Sequence, residues 1–225
     1  MPQEILPRLA ALNWEMCMKL YFSPGACSFS PHIVLRELGL PFDLVQVDLK
    51  TKKLADGSDF KSLNPKGYVP LLQLDDGRVI TEGPAIVQYV ADLKPESRLA
   101  PANGTFERTQ LQGWLNFIST ELHKSFSPLF NADAVGEKAV EFFKAKLHSR
   151  LGTIVEPVLA KSDYLMGADF TVADAYLYVM LTWAKGFKFD FGQWPGIARF
   201  FDRVAARPAV VAAHEAEAQA KKKAA

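Results

Sequence analysis

Cysteine is almost missing from this sequence: 225 residues hold only Cys17 and Cys27. So few thiols in so long a chain exclude a secreted disulfide framework and point to a reducing compartment, the cytoplasm. An excess of charge of one sign is missing too. Lysine and arginine number 26 against 25 aspartate and glutamate. The molecule as a whole therefore has no electrostatic grip on a phosphate backbone, and nucleic acid is not expected as a partner. No apolar run approaches the roughly 18 residues of a membrane span, so no membrane is expected either. The histidines show no metal-ligand spacing with a cysteine or carboxylate, so no metal is expected, and no internal repeat is present. What is there is ordinary: 49% hydrophobic residues, 23% charged and a mean hydropathy of +0.00. Such a composition predicts a soluble globular chain, and against about 150 residues per domain its length makes one large domain or two small ones.

The first 17 residues carry only Arg8 and a short apolar patch from Leu9 to Leu12, a poor signal peptide. Met18 opens the first convincing strand, so residues 1–17 read as an extension outside the fold. Beyond it the chain has two textures. Lys19–Phe22 reads as a strand, Phe29–Leu38 as a helix stopped by Gly39, Phe42–Asp48 as a second strand and 50–62 as loop or short helix. Leu71–Leu74 and Arg78–Thr81 flank Asp75-Asp76-Gly77, a hairpin signal, and a helix follows over Pro84–Leu93. A parallel βαβ unit followed by an antiparallel hairpin predicts a mixed four-stranded sheet with helices packed on it. The Pro-, Gly- and Asn-rich stretch 95–104 reads as a linker, after which strand signals vanish. Amphipathic helices are predicted over Phe106–Phe130, Gly136–Leu159, Val172–Ala184, Gly196–Ala206 and Ala209–Lys223. The expected architecture is an α/β domain over 18–94, the linker, and an all-α helical bundle over 105–225.

Three stretches of the first half place polar or reactive groups at special backbone positions. In Ser23-Pro-Gly-Ala-Cys27-Ser28 the cysteine falls between strand and helix. Unpaired N–H groups and the helix dipole there favour a thiolate and can lower its pKa below 8.5; the same residue can equally be a small buried side chain. In Asn64-Pro-Lys-Gly-Tyr-Val69-Pro70 a proline opens a strand. A cis Val69–Pro70 bond would turn the Val69 backbone outward to pair with an extended peptide, and a trans bond would leave a plain loop. In Thr81-Glu82-Gly83-Pro84 an acidic residue ends a strand as a helix begins. The helix N–H groups can take a carboxylate while Glu82 takes an ammonium, or Glu82 is a surface cap. In the second half Asn116, Thr120, His123 and Ser127 fall on one face of an ideal helix, a cleft wall or a solvent-facing stripe. Thr171-Val-Ala-Asp174 reads as a capping box. His32, His148 and His214 have no comparable context.

In this order the three stretches resemble the thioredoxin-like N-terminal domain of cytosolic glutathione S-transferases. The capping box is similar to the folding motif that opens the sixth helix in that superfamily, and the likeness runs from about Met18 to Ala213. Ser23-Pro-Gly-Ala-Cys27-Ser28 together with His123-Lys124 resembles the bacterial beta class, so Tyr21 is not expected to be catalytic. The resemblance implies glutathione as co-substrate, with backbone pairing at Val69 and Pro70 and carboxylate and amine recognition at Glu82 and Gly83. It further implies a glycine-end contact from Lys52, glutathione contacts from Ser28 and Lys124, and a sulfur-side catalytic role for Cys27 and His123. His123 is expected to shape the pH dependence of rate. A homodimer with Asn116 near the partner's glutathione site is implied as well, together with a cytoplasmic, detoxifying activity. One position departs from the pattern: a serine usually follows the acidic residue, and here Gly83 does. The lost hydroxyl weakens carboxylate binding by about 1.5 to 3 kcal/mol at most.

The function expected is attack of the glutathione thiolate on a small hydrophobic electrophile. Two rivals stand beside it. Cys27 could itself be the nucleophile of a glutathione-dependent thiol–disulfide oxidoreductase. Alternatively, the 16 Phe and 4 Trp could build a cleft that binds hydrophobic molecules without catalysis.

Overall fold

The structure, a computed structural model, describes residues 17–223. The extension expected over residues 1–17 lies outside them apart from Cys17, and both cysteines are free. β1 (Met18–Phe22) and β2 (Phe42–Asp48) pair in parallel, Met18 opposite Phe42 and Phe22 opposite Gln46. The crossover between them is α1 (Phe29–Glu37), which buries Phe29, Ile33, Val34 and Leu35.

The sheet has five strands where four were expected. β3 (Lys53–Leu54) pairs antiparallel with the edge of β2. Asp48 explains it: its carboxylate accepts from the Lys50 and Thr51 N–H groups and the Thr51 hydroxyl. The basic stretch read as loop is thereby wound into a turn that returns the chain to the sheet. A two-residue strand has no periodicity to read. β4 (Leu71–Gln73) then pairs antiparallel with β1, and β5 (Val79–Thr81) with β4, giving the order β3-β2-β1-β4-β5. The β4–β5 hairpin turns at Gly77, whose φ of +85° suits a residue without Cβ. α2 (Gly83–Asp92) follows directly, with Pro84 in its first turn.

From Phe106 onward the described elements are all helical. α3 (Phe106–Phe117) continues through a π-helical turn, Ile118–His123, into α4 (Lys124–Phe130). After the short α5 (Ala132–Val135), α6 (Glu137–Arg150) likewise passes through a π turn, Leu151–Val155, into α7 (Glu156–Leu159). α8 (Val172–Gly186) is buried at every position from Val172 to Leu181, as befits a helix surrounded by others. α9 (Pro195–Ala205) and α10 (Pro208–Lys223) complete the bundle. One hydrophobic core runs from Leu20 and Ile33 through Val87 to Val172 and Phe200, and α1 packs against both α8 and α10. The α/β and helical halves therefore meet along a shared seam.

The capping box forms at the start of α8. The Asp174 carboxylate accepts from the Thr171 N–H, the Thr171 hydroxyl and the Leu165 N–H, each at 2.8 Å. Burial pushes its carboxyl up to about 6, and the Leu165 and Thr171 donors keep it from rising further.

Candidate active site

A cleft of about 470 Å³ opens on the seam, where the turn after β1, the loop before β4 and the start of α2 face α4 and α8. Cys27, Lys52, Val69, Pro70, Glu82, Gly83, His123 and Lys124 all line it. Ser28 does not, and neither does Asn116, which was expected at a partner's site and not at this one. Ser28 is fully buried, its hydroxyl accepting from the Ser23 N–H at 3.2 Å and donating to the Ser23 carbonyl at 3.3 Å. Its side chain closes the turn. Asn116 is exposed and outside this chain's cleft.

The Cys27 thiol donates to the Val69 carbonyl at 3.3 Å. Burial pushes that thiol up to about 11; its own N–H, the Lys124 charge and the Ser28 N–H offset this only in part. The helix terminus is present as expected, but desolvation outweighs it. The expectation of a lowered thiol pKa is therefore corrected: Cys27 is a neutral thiol at physiological pH.

The Val69–Pro70 bond is cis. The loop leading to it is held by Asn64, only 3% exposed, whose Nδ2 donates to the Tyr68 carbonyl at 2.7 Å and whose Oδ1 accepts from the Lys66 N–H at 3.2 Å. Across the cleft Glu82 sits at φ +70°, a costly conformation for a residue with a side chain, at the entrance to α2. Its side chain is two-thirds exposed and pairs with the Lys66 ammonium at 2.6 Å. Lys66 was not singled out from the sequence, because nothing marks one loop lysine until the fold sets it against Glu82. Lys52, at the other end, places its ammonium 5.9 Å from the centre of the Tyr68 ring. Lys52, Lys66 and Lys124 thus bring three cations to the cleft beside the carboxylate of Glu82. That pattern complements a ligand with two carboxylates and one ammonium.

On the helical side the π turn sets which residues face inward. The Lys124 N–H reaches the Ser119 carbonyl, five residues back. The wider turn carries Ser119, His123, Lys124 and Ser127 into the cleft and leaves Thr120 exposed, donating to the Asn116 carbonyl. The polar stripe read at the ordinary helical period is therefore half right, since an inserted residue shifts the face. His123 Nδ1 lies 2.5 Å from the Tyr176 hydroxyl. Burial, reinforced by Lys124, pushes His123 down to about 4, and burial pushes Tyr176 up while Ser119 hydrogen-bonds to it. Both are neutral at pH 7. The Tyr176 hydroxyl, which can donate to or accept from Nδ1, holds the imidazole by that nitrogen and leaves Nε2 as its other polar atom. A histidine held near 4 by burial stays uncharged through neutrality, so the pH–rate curve there is expected to reflect another group.

Trp183 and Phe130 form the apolar wall, their rings edge-on at 5.0 Å, with Phe130 56% exposed. Neither Tyr176 nor Trp183 carried a signal in a helix that reads as continuous core. Tyr21 donates its hydroxyl to Gln73 at 3.0 Å, outside the cleft lining. Among the described residues no group of three His, Cys, Asp or Glu could hold a metal.

Residues 25–93 match the glutathione S-transferase N-terminal domain model and residues 117–208 the C-terminal domain model. The chain is 45% identical over 200 residues to the glutathione S-transferase GstA of Escherichia coli O157:H7, covering 89% of this chain and 98% of that protein. It superposes on the ternary complex of BphK, a bacterial glutathione S-transferase, with a TM-score of 0.86 at 57% identity, covering 89% and 99% of the two chains. For the beta-class glutathione S-transferase of Sphingomonas chungbukensis the TM-score is 0.85 at 44% identity, covering 88% and 98%. With both halves matched in order and the cleft lying between them, the chain belongs to the glutathione S-transferase family.

Proposed function

We propose that the cleft binds glutathione in an extended form and conjugates its sulfur to small hydrophobic electrophiles. The observation that carries this reading is the charge pattern of the cleft, which runs from a polar tripeptide groove into an aromatic wall. Glu82 takes the γ-glutamyl ammonium; Lys66 and the N–H groups opening α2 take its carboxylate. Val69 pairs with the cysteinyl backbone and Lys52 meets the glycyl carboxylate. The sulfur then lies near the helix-terminal N–H groups of α1, the His123 imidazole and Lys124, all of which stabilise a thiolate. Glutathione loses its thiol proton to solvent, the thiolate forms a carbon–sulfur bond to an electrophile resting on Phe130 and Trp183, and the leaving group departs. The oxidoreductase reading is disfavoured, because burial holds Cys27 protonated and its thiol is engaged by Val69.

Conjugation of glutathione to an activated chloronitrobenzene should be measurable at pH 6–8, and immobilised glutathione should retain the protein. No conjugation together with no heat of binding at millimolar glutathione would remove this reading. We further propose a two-fold homodimer of about 50 kDa, twice the 25.0 kDa chain. In it Asn116 lies near the partner's glutathione site, and the enzyme acts in the cytoplasm as a detoxifying catalyst; light scattering tests the dimer. Among the described residues no helix is long and apolar enough to cross a membrane.

Gly83 offers a direct test of where the carboxylate sits. A Cβ added there would meet Pro70 Cγ at 3.8 Å, an ordinary contact, so Gly83→Ser fits without rearrangement. The restored hydroxyl should tighten glutathione binding about tenfold by calorimetry. Unchanged affinity would place the carboxylate elsewhere.

A further inference from the structure

The last helix reaches back to the turn that carries Cys27. Glu217 of α10 is 5% exposed, and its Oε2 accepts from the Gly25 N–H at 2.9 Å. Its Oε1 lies 3.0 Å from Nδ1 of His32, a residue of α1 with no exposed surface. Geometry fixes the tautomer of that histidine. Arg36 Nε is an obligate donor and sits 2.8 Å from His32 Nε2, so Nε2 holds a lone pair and the proton is on Nδ1. Both oxygens of Glu217 are therefore acceptors, one for the turn and one for the helix that follows it. The Gly25 carbonyl is held as well, accepting from Trp183 Nε1 of α8 at 2.8 Å. Gly25 is thus gripped at its N–H and its C=O by residues 192 and 158 positions away, two residues before the cleft-lining thiol. Gly25 is exposed and a Cβ built on it would meet nothing within 4 Å, so these two hydrogen bonds are what tie it to the helices.

We propose that Glu217 is a positioning residue for the sulfur site: by holding the Gly25 N–H and, through His32, the start of α1, it fixes the turn that presents Cys27 and the helix-terminal N–H groups. The C-terminal helix is in this way part of the conjugating machinery, although none of its residues lines the cleft. The kinetic half of the test rests on the transferase reading; the chemical half does not.

Glu217→Gln in the full-length protein is the informative variant, since the Gly25 N–H and the His32 Nδ1–H both need an acceptor and the amide has a single oxygen. With saturating glutathione, kcat should fall about tenfold while the KM for the electrophile stays within about twofold, as expected for lost alignment. Alkylation of Cys27 by iodoacetamide, separated from Cys17 by peptide-resolved mass spectrometry, should accelerate severalfold as the turn opens. Parent-like kcat and parent-like alkylation would overturn the proposal. If the parent itself fails to conjugate, the transferase reading falls, and the alkylation rate still decides the clamp. Should Glu217→Gln not fold, Glu217→Asp withdraws the carboxylate by one methylene and carries the same readouts. Loss of fold in both variants would make Glu217 a general strut and overturn its role at the sulfur.

Discussion

Asp174→Ala should cost this protein about 3 to 5 kcal/mol of stability: a lost helix cap accounts for roughly 1 to 2, and two N–H groups left without an acceptor in the core for the remainder. Against a typical total of about 5 to 15 kcal/mol, that is a large loss for one side chain. The reason lies in where Asp174 stands, at the start of the most buried helix, receiving donors from Thr171 and Leu165 at once. A urea titration should show a lower midpoint with an unchanged slope. A loss under about 1 kcal/mol would mean that packing alone positions α8. The same carboxyl also gives a pH signature. Its pKa is about 6 in the fold against 3.8 for an ordinary aspartate, so between those values the native state binds the proton that the unfolded chain releases. This group's contribution therefore falls as pH rises from about 4 to 6, by roughly 3 kcal/mol in total. The parent measured relative to Asp174→Asn should lose stability across that window and level off above it.

The second large effect is catalytic. His123→Ala should lower kcat by about a hundredfold, as removal of one preorganised donor to a developing anion does, while glutathione affinity stays within about threefold. Cys27→Ala should be far milder, keeping binding and much of the conjugation rate but losing any disulfide exchange. In the fold Cys27 is a neutral thiol bonded to the Val69 carbonyl, whereas the Tyr176 hydroxyl holds the His123 imidazole at the cleft wall. Because His123 stays neutral down to about 4, the parent and the alanine variant should give parallel pH–rate curves from pH 6 to 8. The limb seen there belongs to the glutathione thiol. An acid limb that disappears in the variant would show that His123 titrates near neutrality. On stability its sign is opposite to that of Asp174. A histidine with a depressed pKa contributes stability that is present above about 6.5 and lost as pH falls through about 4. The two groups therefore oppose each other on the acid side.

What could be read without the fold was written in neighbouring residues. The Asp75-Asp76-Gly77 hairpin, the start of α2 at Gly83 and Pro84 and the Thr171–Asp174 capping box each depend on a few consecutive positions, so their signals survive in the chain as text. The same holds for Cys27 at the end of its turn, Val69 before a proline and Glu82 before a helix. What could not be read depends on contacts across the chain. β3 exists because Asp48 collects three donors from a polar stretch with no strand pattern. The π turn inserts one residue into a period of 3.6 and exchanges Thr120 for Ser119 at the cleft.

By itself, the sequence determined the order of the main elements and placed Cys27, Val69 and Glu82 at their turns, because backbone propensity and turn chemistry act over a few residues, while the resemblance of its motifs pointed to the family. Only the tertiary structure decided the chemical state of those residues. Burial, a sum over groups distant in sequence, raises the Cys27 thiol where the local helix dipole alone would lower it, and keeps His123 neutral. Tyr176, Trp183, Lys66 and Glu217 acquire their places at the site in the same way, through folding that brings them against partners from 16 to 192 residues away.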